Sequence, residues 1–318
     1  MKTQIDPSVY EAAHKTAVIV DRSDLGMLTF TGETRLDLIH RMSTQAVNGL
    51  QPGEGTATIL TTDIGRIIDR LILYTGSDTI YTLTGENNAD NIARYLMRFV
   101  FFNDDFHIQD ISAQTSIFAV YGPQAAHILG EQGGFPEVEI PMHHWREAEI
   151  AGVTAYLHRT DPINNYGFFI MCETAVAHTL QQFLEQTSLV PAGEEAFDLL
   201  RIEAGLPRFN HELTQDYIPL EAGLWDDVSF TKGCYIGQEI IARMESRGKL
   251  AKRLARLGSD GPVEQGAKIT AADKNVGTIT SAAQGPQGLL ALGYVKTAAL
   301  DSDLKLSVGE IGVHINPK

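Results

Sequence analysis

Beyond Gly248 the chain changes texture, and that change restricts its architecture more than any other feature. The segments KLAKRLARLG, AKITAADKNVGTITSAA, GLLALGYV and LKLSVGEIGVHIN are short and strand-like, and glycine-bearing turns separate them. Short strands at such spacing close into a small barrel or sandwich, so residues 248–318 are expected to form an all-β unit.

The chain before that point mixes helices and strands. Residues 16–31 read as two strands around a polar turn, and GETRLDLIHRMST carries Leu36, Leu38, Ile39 and Met42 at helical spacing. TATILTTDIGRIIDRLILYTG reads as a hairpin turning at residues 63–65. NNADNIARYLMRFVFF reads as an amphipathic helix with an asparagine N-cap. TSIFAVYGP resumes as a strand, Pro123 opens the helix PQAAHILGEQ, and strands fill residues 150–171. ETAVAHTLQQFLEQT and EEAFDLLRIEAG are helices, the second ended by Gly205 and Pro207. The expected class is α+β, with an α/β unit over residues 1–120, a second over 121–247 and the barrel over 248–318.

Charge and cysteine content narrow the function. A net charge of −15 argues against strong direct nucleic-acid binding, which needs many phosphate-neutralising cations. Yet residues 232–256 hold seven basic residues (Lys232, Arg243, Arg247, Lys249, Lys252, Arg253, Arg256) against Glu239 and Glu245. That island is either a solvated face or the place where an anionic ligand docks. No apolar run approaches the roughly 18 residues that span a bilayer, and MKTQIDPSVYEAAHKT lacks the apolar core of a secretion signal. Two widely separated cysteines suit a reducing cytoplasm and are too few for a four-thiolate site within one chain.

Three stretches carry candidate chemistry. KGCYIGQE, residues 232–239, places Cys234 beside Lys232 and just before a helix, QEIIARMES, that Gly248 would close. Both neighbours favour a thiolate, and Tyr235 offers a flat face to a heterocycle; the alternative is a small hydrophobe packed in a tight turn. RIEAGLPRFNHELT places Glu203 near a helix end, where a carboxylate either accepts hydrogen bonds from an amino-pyrimidinone edge or pairs with Arg201 or Arg208. In TTDIGRIIDRLIL, alternation sets Ile67 and Asp69 on one face and Ile68 and Arg70 on the other. An inward carboxylate is costly alone, so Asp69 is a site residue or half of an ion pair. Cys172 sits on an apolar strand and reads as core, residues 143–145 as a polar loop, and no phosphate loop or nucleophile elbow is present.

RIEAG, ELT, PLEAGL and KGCYIGQE, in that order and spacing, resemble the folate-binding superfamily of the glycine-cleavage T-protein, as does VGTITSAAQGPQGLLALGYV in the barrel. The cysteine of KGCYIGQE resembles the YgfZ branch, whose mitochondrial relatives help mature iron–sulfur proteins. T-proteins carry approximately GGxxDD in the hairpin, where this chain has Gly65, Arg66, Asp69 and Arg70; one acid has become a base.

The resemblance implies three domains around a central opening that holds tetrahydrofolate, the first two interleaved. It implies Glu203 at the pterin edge, Asp69 at the folate's reactive end and Cys234 on the loop beside the opening. Glu203, Asp69, Arg66, Lys232, Tyr235, Gln238 and Arg243 are the expected folate contacts, and Cys234 and Asp69 the residues expected to carry chemistry. The implied function is a folate-binding accessory of iron–sulfur cluster assembly or repair, with cluster-assembly proteins or client enzymes as partners. An effect on tRNA modification would then be indirect. The rival is a tetrahydrofolate-dependent aminomethyl- or methyltransferase, which Arg70 argues against.

Overall fold

The computed structural model describes residues 5–316; residues 1–4 and 317–318 and the Arg247 side chain lie outside the description. The first residues of the stretch read for a secretion signal, and one cation of the basic island, fall outside it with them. In chain order come α1 (Pro7–Lys15), β1 (Val18–Asp21), β2 (Leu25–Thr31), α2 (Arg35–Met42), β3 (Gly55–Thr61) and β4 (Ile67–Thr75). There follow β5 (Ile80–Glu86), α3 (Ala89–Met97), β6 (His107–Asp110), β7 (Thr115–Tyr121), α4 (Ala125–Glu131) and β8 (Trp145–Ile150). Next are β9 (Val153–Ile163), β10 (Tyr166–Glu173), α5 (Ala177–Leu184), β11 (Val190–Ala192) and α6 (Glu194–Ala204). After a long loop stand α7 (Gln238–Arg247), β12 (Lys252–Ser259), β13 (Lys268–Ala271) and β14 (Lys274–Gly285). The chain closes with β15 (Gly288–Lys296), α8 (Thr297–Leu300), β16 (Leu306–Val308) and β17 (Ile311–Ile315).

Strands β3-β4-β5-β2-β6 form one sheet and β11-β1-β7-β10-β9-β8 a second, while β12-β15-β14-β13-β16-β17 close into a barrel. The barrel is the unit that the glycine-punctuated strands announced. β1 pairs with β7 and β11 rather than with its neighbour β2, so the two α/β units interleave. Their sheets face each other across a shared apolar layer that includes Val18, Met27, Leu83, Ala119 and Met171.

Local chemistry explains most boundaries. Gly205 takes the left-handed conformation at φ 78° and ends α6. The α3 helix is shorter than its apolar pattern suggested, ending at Met97 and leaving Phe101 and Phe102 exposed. Asn88 stands at its cap position, but the side chain donates to Asp69 instead of capping. Helix α1 went unread, although Asp6 accepts the Ser8 N–H and Pro7 opens the first turn.

The barrel is fixed to the rest by buried polar contacts. Arg201 on α6, 1% exposed, donates to Glu212 Oε2 at 2.7 Å and to Ser281 Oγ of β14 at 2.6 Å. Tyr294 of β15 donates to the Glu212 carbonyl at 3.0 Å, and its ring stacks on Tyr217. These contacts tie the barrel to α6 and to the long loop that follows it.

Candidate functional site

The site begins at the β3–β4 hairpin. Leu60 pairs with Asp69 and Thr61 with Ile67, which leaves Ile68 as an extra residue; such a bulge re-aims the side chains beside it. Asp69 is fully buried. Its Oδ1 accepts the Arg70 N–H at 2.8 Å, and its Oδ2 accepts the Gly85 N–H at 2.9 Å and Asn88 Nδ2 at 2.8 Å. All three donors are neutral. Burial therefore prevails over their opposing pull and pushes the carboxyl up to about 7. A group that titrates there can take or give a proton near neutral pH.

Arg70 resolves the choice that the sequence left open, because the ion pair is its own and not that of Asp69. Its Nε donates to Asp227 Oδ2 at 2.6 Å and its Nη1 to Asp161 Oδ2 at 2.6 Å. Burial disfavours the guanidinium, but the two carboxylates outweigh that cost and hold it charged. Asp161, pushed up by burial, is pulled below the usual carboxylate range by Arg70. The clamp joins the first sheet, the second sheet and the long loop.

Arg70 and Asp161 line a cavity of about 740 Å³ whose walls come from all three units, with Thr56 from the first, His143 from the second and Arg256 from the barrel. A recess of about 150 Å³ adjoins it past Asp69, sharing Arg70, Asp161, Leu206, Pro207 and Leu224. Aromatic faces of Tyr121, Phe169, Phe197 and Phe209 line the recess. The Arg22 guanidinium lies 4.1 Å from the Phe197 ring centre, and Glu86 accepts from Arg22 and Arg208 at 2.7 Å each. A Cβ on Gly85 would sit 2.6 Å from that of Phe209, so this wall admits only glycine.

The KGCYIGQE loop forms a separate cluster against the hairpin turn. Gly237, at φ 84°, caps α7; a Cβ there would meet Thr62 O at 2.6 Å and Gly65 Cα at 2.8 Å. Thr61 Oγ1 also donates to the Ile236 carbonyl at 2.6 Å. Cys234 is exposed, and Cys172 is buried in the core as its strand suggested.

Lys232 does not serve the thiol. Its ammonium donates to the carbonyls of His40, Ser43 and Gln45, closing the end of α2, and lies 5.2 Å from the centre of the Tyr235 ring. Tyr235 is itself buried, so its face is covered. Gln238 is half-buried and Arg243 exposed on α7, while Arg66 donates to the Asp216 carbonyl at 2.7 Å. None of these residues, nor Cys234, lines the cavity or the recess.

Glu203 is held elsewhere too. Its Oε1 accepts Tyr10 O–H at 2.8 Å and its Oε2 lies 3.2 Å from His14 Nε2, both on the unread α1. Arg201 and Arg208, its suspected partners, pair instead with Glu212 and Glu86. Of the expected folate contacts, Asp69 alone lines the recess, and none lines the cavity itself. Arg256, from the basic island, lines the cavity and donates to the Glu203 carbonyl at 2.6 Å. His143, read as a polar loop residue, lines the cavity with φ at 60°; its strain is invisible in sequence. Asp161 and Asp227 were missed as well, although a lone arginine inside a buried strand demands acids somewhere.

Comparison with known proteins accounts for this arrangement. The GCVT N-terminal domain matches residues 7–232, and the CAF17 C-terminal beta-barrel domain matches residues 252–318. The chain belongs to the YgfZ/CAF17 branch of the GCVT family. That family is folate-binding, and its three-part architecture is the one observed here. A protein of Arabidopsis thaliana named as a chloroplastic transferase, At1g60990, is 30% identical over 96% of this chain and 71% of its own length. An aminomethyltransferase of Halalkalibacterium halodurans is 28% identical, covering 97% of this chain and 85% of its own. The crystal structure of aminomethyltransferase T from Bartonella henselae superposes with a TM-score of 0.86 at 21% identity, covering 99% and 90% of the two chains. That likeness is one of fold.

Proposed function

We propose that this GCVT-family chain binds tetrahydrofolate in its central cavity and serves iron–sulfur cluster assembly or repair through the exposed thiol of Cys234. The observation that carries the reading is the pairing of a kept Asp69 with an arginine where the family's second acid would stand. The cavity volume falls within the roughly 300–1,000 Å³ usual for small-molecule sites. Flat aromatic walls suit a pterin, the Asp69 carboxyl suits its donor edge, and Arg256 suits an anionic glutamate tail. When bound, tetrahydrofolate would supply a one-carbon carrier.

Arg70 pairs with Asp161 and Asp227, and Arg22 and Arg208 pair with Glu86, so Asp69 is the recess carboxyl held by neutral donors. That composition favours holding a folate over processing an amine. Cys234 sits on a loop braced against the same hairpin, by Gly237 on Gly65, and faces solvent. One thiolate cannot hold a cluster alone, so an assembly protein or client enzyme would supply the other ligands. Its place would be a reducing cytoplasm, and any effect on tRNA modification would pass through cluster-dependent enzymes. Among the described residues no helix is long and apolar enough to cross a membrane.

The test is Cys234→Ser. Melting temperature and tetrahydrofolate affinity are expected to stay unchanged while rescue of a strain lacking the protein is lost; full rescue by the serine variant would end the proposal. A second reading, aminomethyl or methyl transfer, draws support from the near-neutral titration of Asp69. Methylenetetrahydrofolate formed from tetrahydrofolate and a methylamine donor, and abolished by Asp69→Asn, would favour it. Arg70 leads us to expect no turnover.

A further inference from the structure

Among the described residues, five carboxylates line the central cavity or its recess: Asp69, Glu86, Asp161, Asp226 and Asp227. Asp161 is the one of them that lines both. It stands near the end of β9, with Thr160 before it on the recess wall and Pro162 after it on the cavity wall. A ligand reaching from one space into the other passes this side chain.

The other four are occupied or loosely held. Asp69 is fully buried, and both its oxygens already accept N–H groups. Glu86 is taken by Arg22 and Arg208, and Asp227, with a side chain 7% exposed, by Nε and Nη2 of Arg70. Asp226 is exposed, and no described residue fixes its carboxylate in one direction.

Asp161 is both open and fixed. Its side chain is 30% exposed, and Arg70 holds it with Nη1 on Oδ2 at 2.6 Å and Nη2 on Oδ1 at 3.3 Å. A carboxylate offers about four acceptor sites, so these bonds and the residue's own backbone N–H leave room for a further donor. Burial pushes this carboxyl up, but the Arg70 guanidinium outweighs it and holds the group below the usual carboxylate range. Asp161 is therefore a charged acceptor, already oriented, and such acceptors make the stronger hydrogen bonds.

Glu203, the residue expected at the pterin edge, is closed to a ligand. It lines neither space, its Oε1 accepts Tyr10 O–H at 2.8 Å, and its Oε2 is buried against His14.

We propose that Asp161 is a specificity residue of the folate site, accepting from the exocyclic amino group of the pterin in place of Glu203. The inference rests on the folate reading and names the side chain that selects the ring. A ring without that amino group leaves the charged acceptor short of a partner, which is where selectivity of this kind comes from.

The test compares two ligands by calorimetric titration of the full-length chain: tetrahydrofolate and 2-desamino-2-methyltetrahydrofolate, in which a methyl replaces the amino group. The native chain is expected to prefer tetrahydrofolate by about tenfold to a hundredfold, as for one hydrogen bond to a charged group. Asp161→Asn is expected to abolish that preference by weakening tetrahydrofolate alone. Arg70 then turns the amide oxygen to itself and leaves the amide N–H facing the ligand's amino group. Glu203→Gln is expected to keep the preference in full. Equal affinities of the native chain for the two ligands, a preference that persists in a folded Asp161→Asn, or one that vanishes in Glu203→Gln would each overturn the proposal. Should Asp161→Asn fail to fold, the native chain decides: a nuclear Overhauser effect between the amino protons of bound tetrahydrofolate and the Asp161 Hβ protons is expected, and its absence overturns the proposal. A native chain that gives no heat with either ligand removes the folate reading itself, and this inference with it.

Discussion

Arg70 and Asp161 meet at 2.6 Å between the two α/β units, and the same guanidinium reaches Asp227 on the long loop. One side chain therefore joins both α/β units and the long loop at the wall of the cavity. An acid at this position would face Asp161 and Asp227 as a third buried carboxylate.

The first consequence concerns stability. Arg70→Ala strands two carboxylates and is expected to cost about 3–5 kcal/mol in urea unfolding. Arg70→Met combined with Asp161→Asn and Asp227→Asn is expected to recover most of that loss. Arg70→Asp, which restores the acid pair of the T-proteins, is expected to destabilise the chain without conferring transferase activity.

Asp69 makes stability depend on pH in a defined window. Its folded pKa of about 7 lies above the ordinary 3.8, so the folded state holds the proton more tightly. Below pH 3.8 both states are protonated and the group costs nothing; as pH rises to 7 the unfolded chain gains by ionising, and stability falls. Melting temperatures of the native chain minus those of Asp69→Asn are expected to decline between those pH values and level off above. A difference that rises over the window would mean that the buried carboxyl is ionised.

Gly237→Ala tests the brace between the loop and the hairpin. The left-handed backbone and the approach to Gly65 together should cost about 1–3 kcal/mol. Amide exchange is expected to accelerate across residues 232–241 and the turn at 63–65 while the barrel stays protected. Uniform acceleration throughout the chain would show that the brace is not local.

What could be read from the sequence was what depends on near neighbours. The β3–β4 hairpin, the stop of α6 at Gly205, the closure of α7 at Gly248 and the barrel strands each announce themselves within a dozen residues. Short β6 and β11 carry too few residues to show a period. The side-chain assignments failed where partners are remote. Arg70 meets acids 91 and 157 positions away, and Lys232 meets carbonyls about 190 positions back. Glu203 went to Tyr10, 193 positions distant, on a helix that no expectation included. Strand alternation puts Asp69 on the face of Ile67, and both side chains are buried there.

Calorimetric titration of the full-length chain with tetrahydrofolate, under reducing and oxygen-free conditions, tests the folate reading most directly. Saturable heat with one site per chain, weakened by Asp69→Asn and by Arg256→Ala, is the expected result. A flat titration at protein concentrations where the chain is demonstrably folded would contradict both the accessory and the transferase readings.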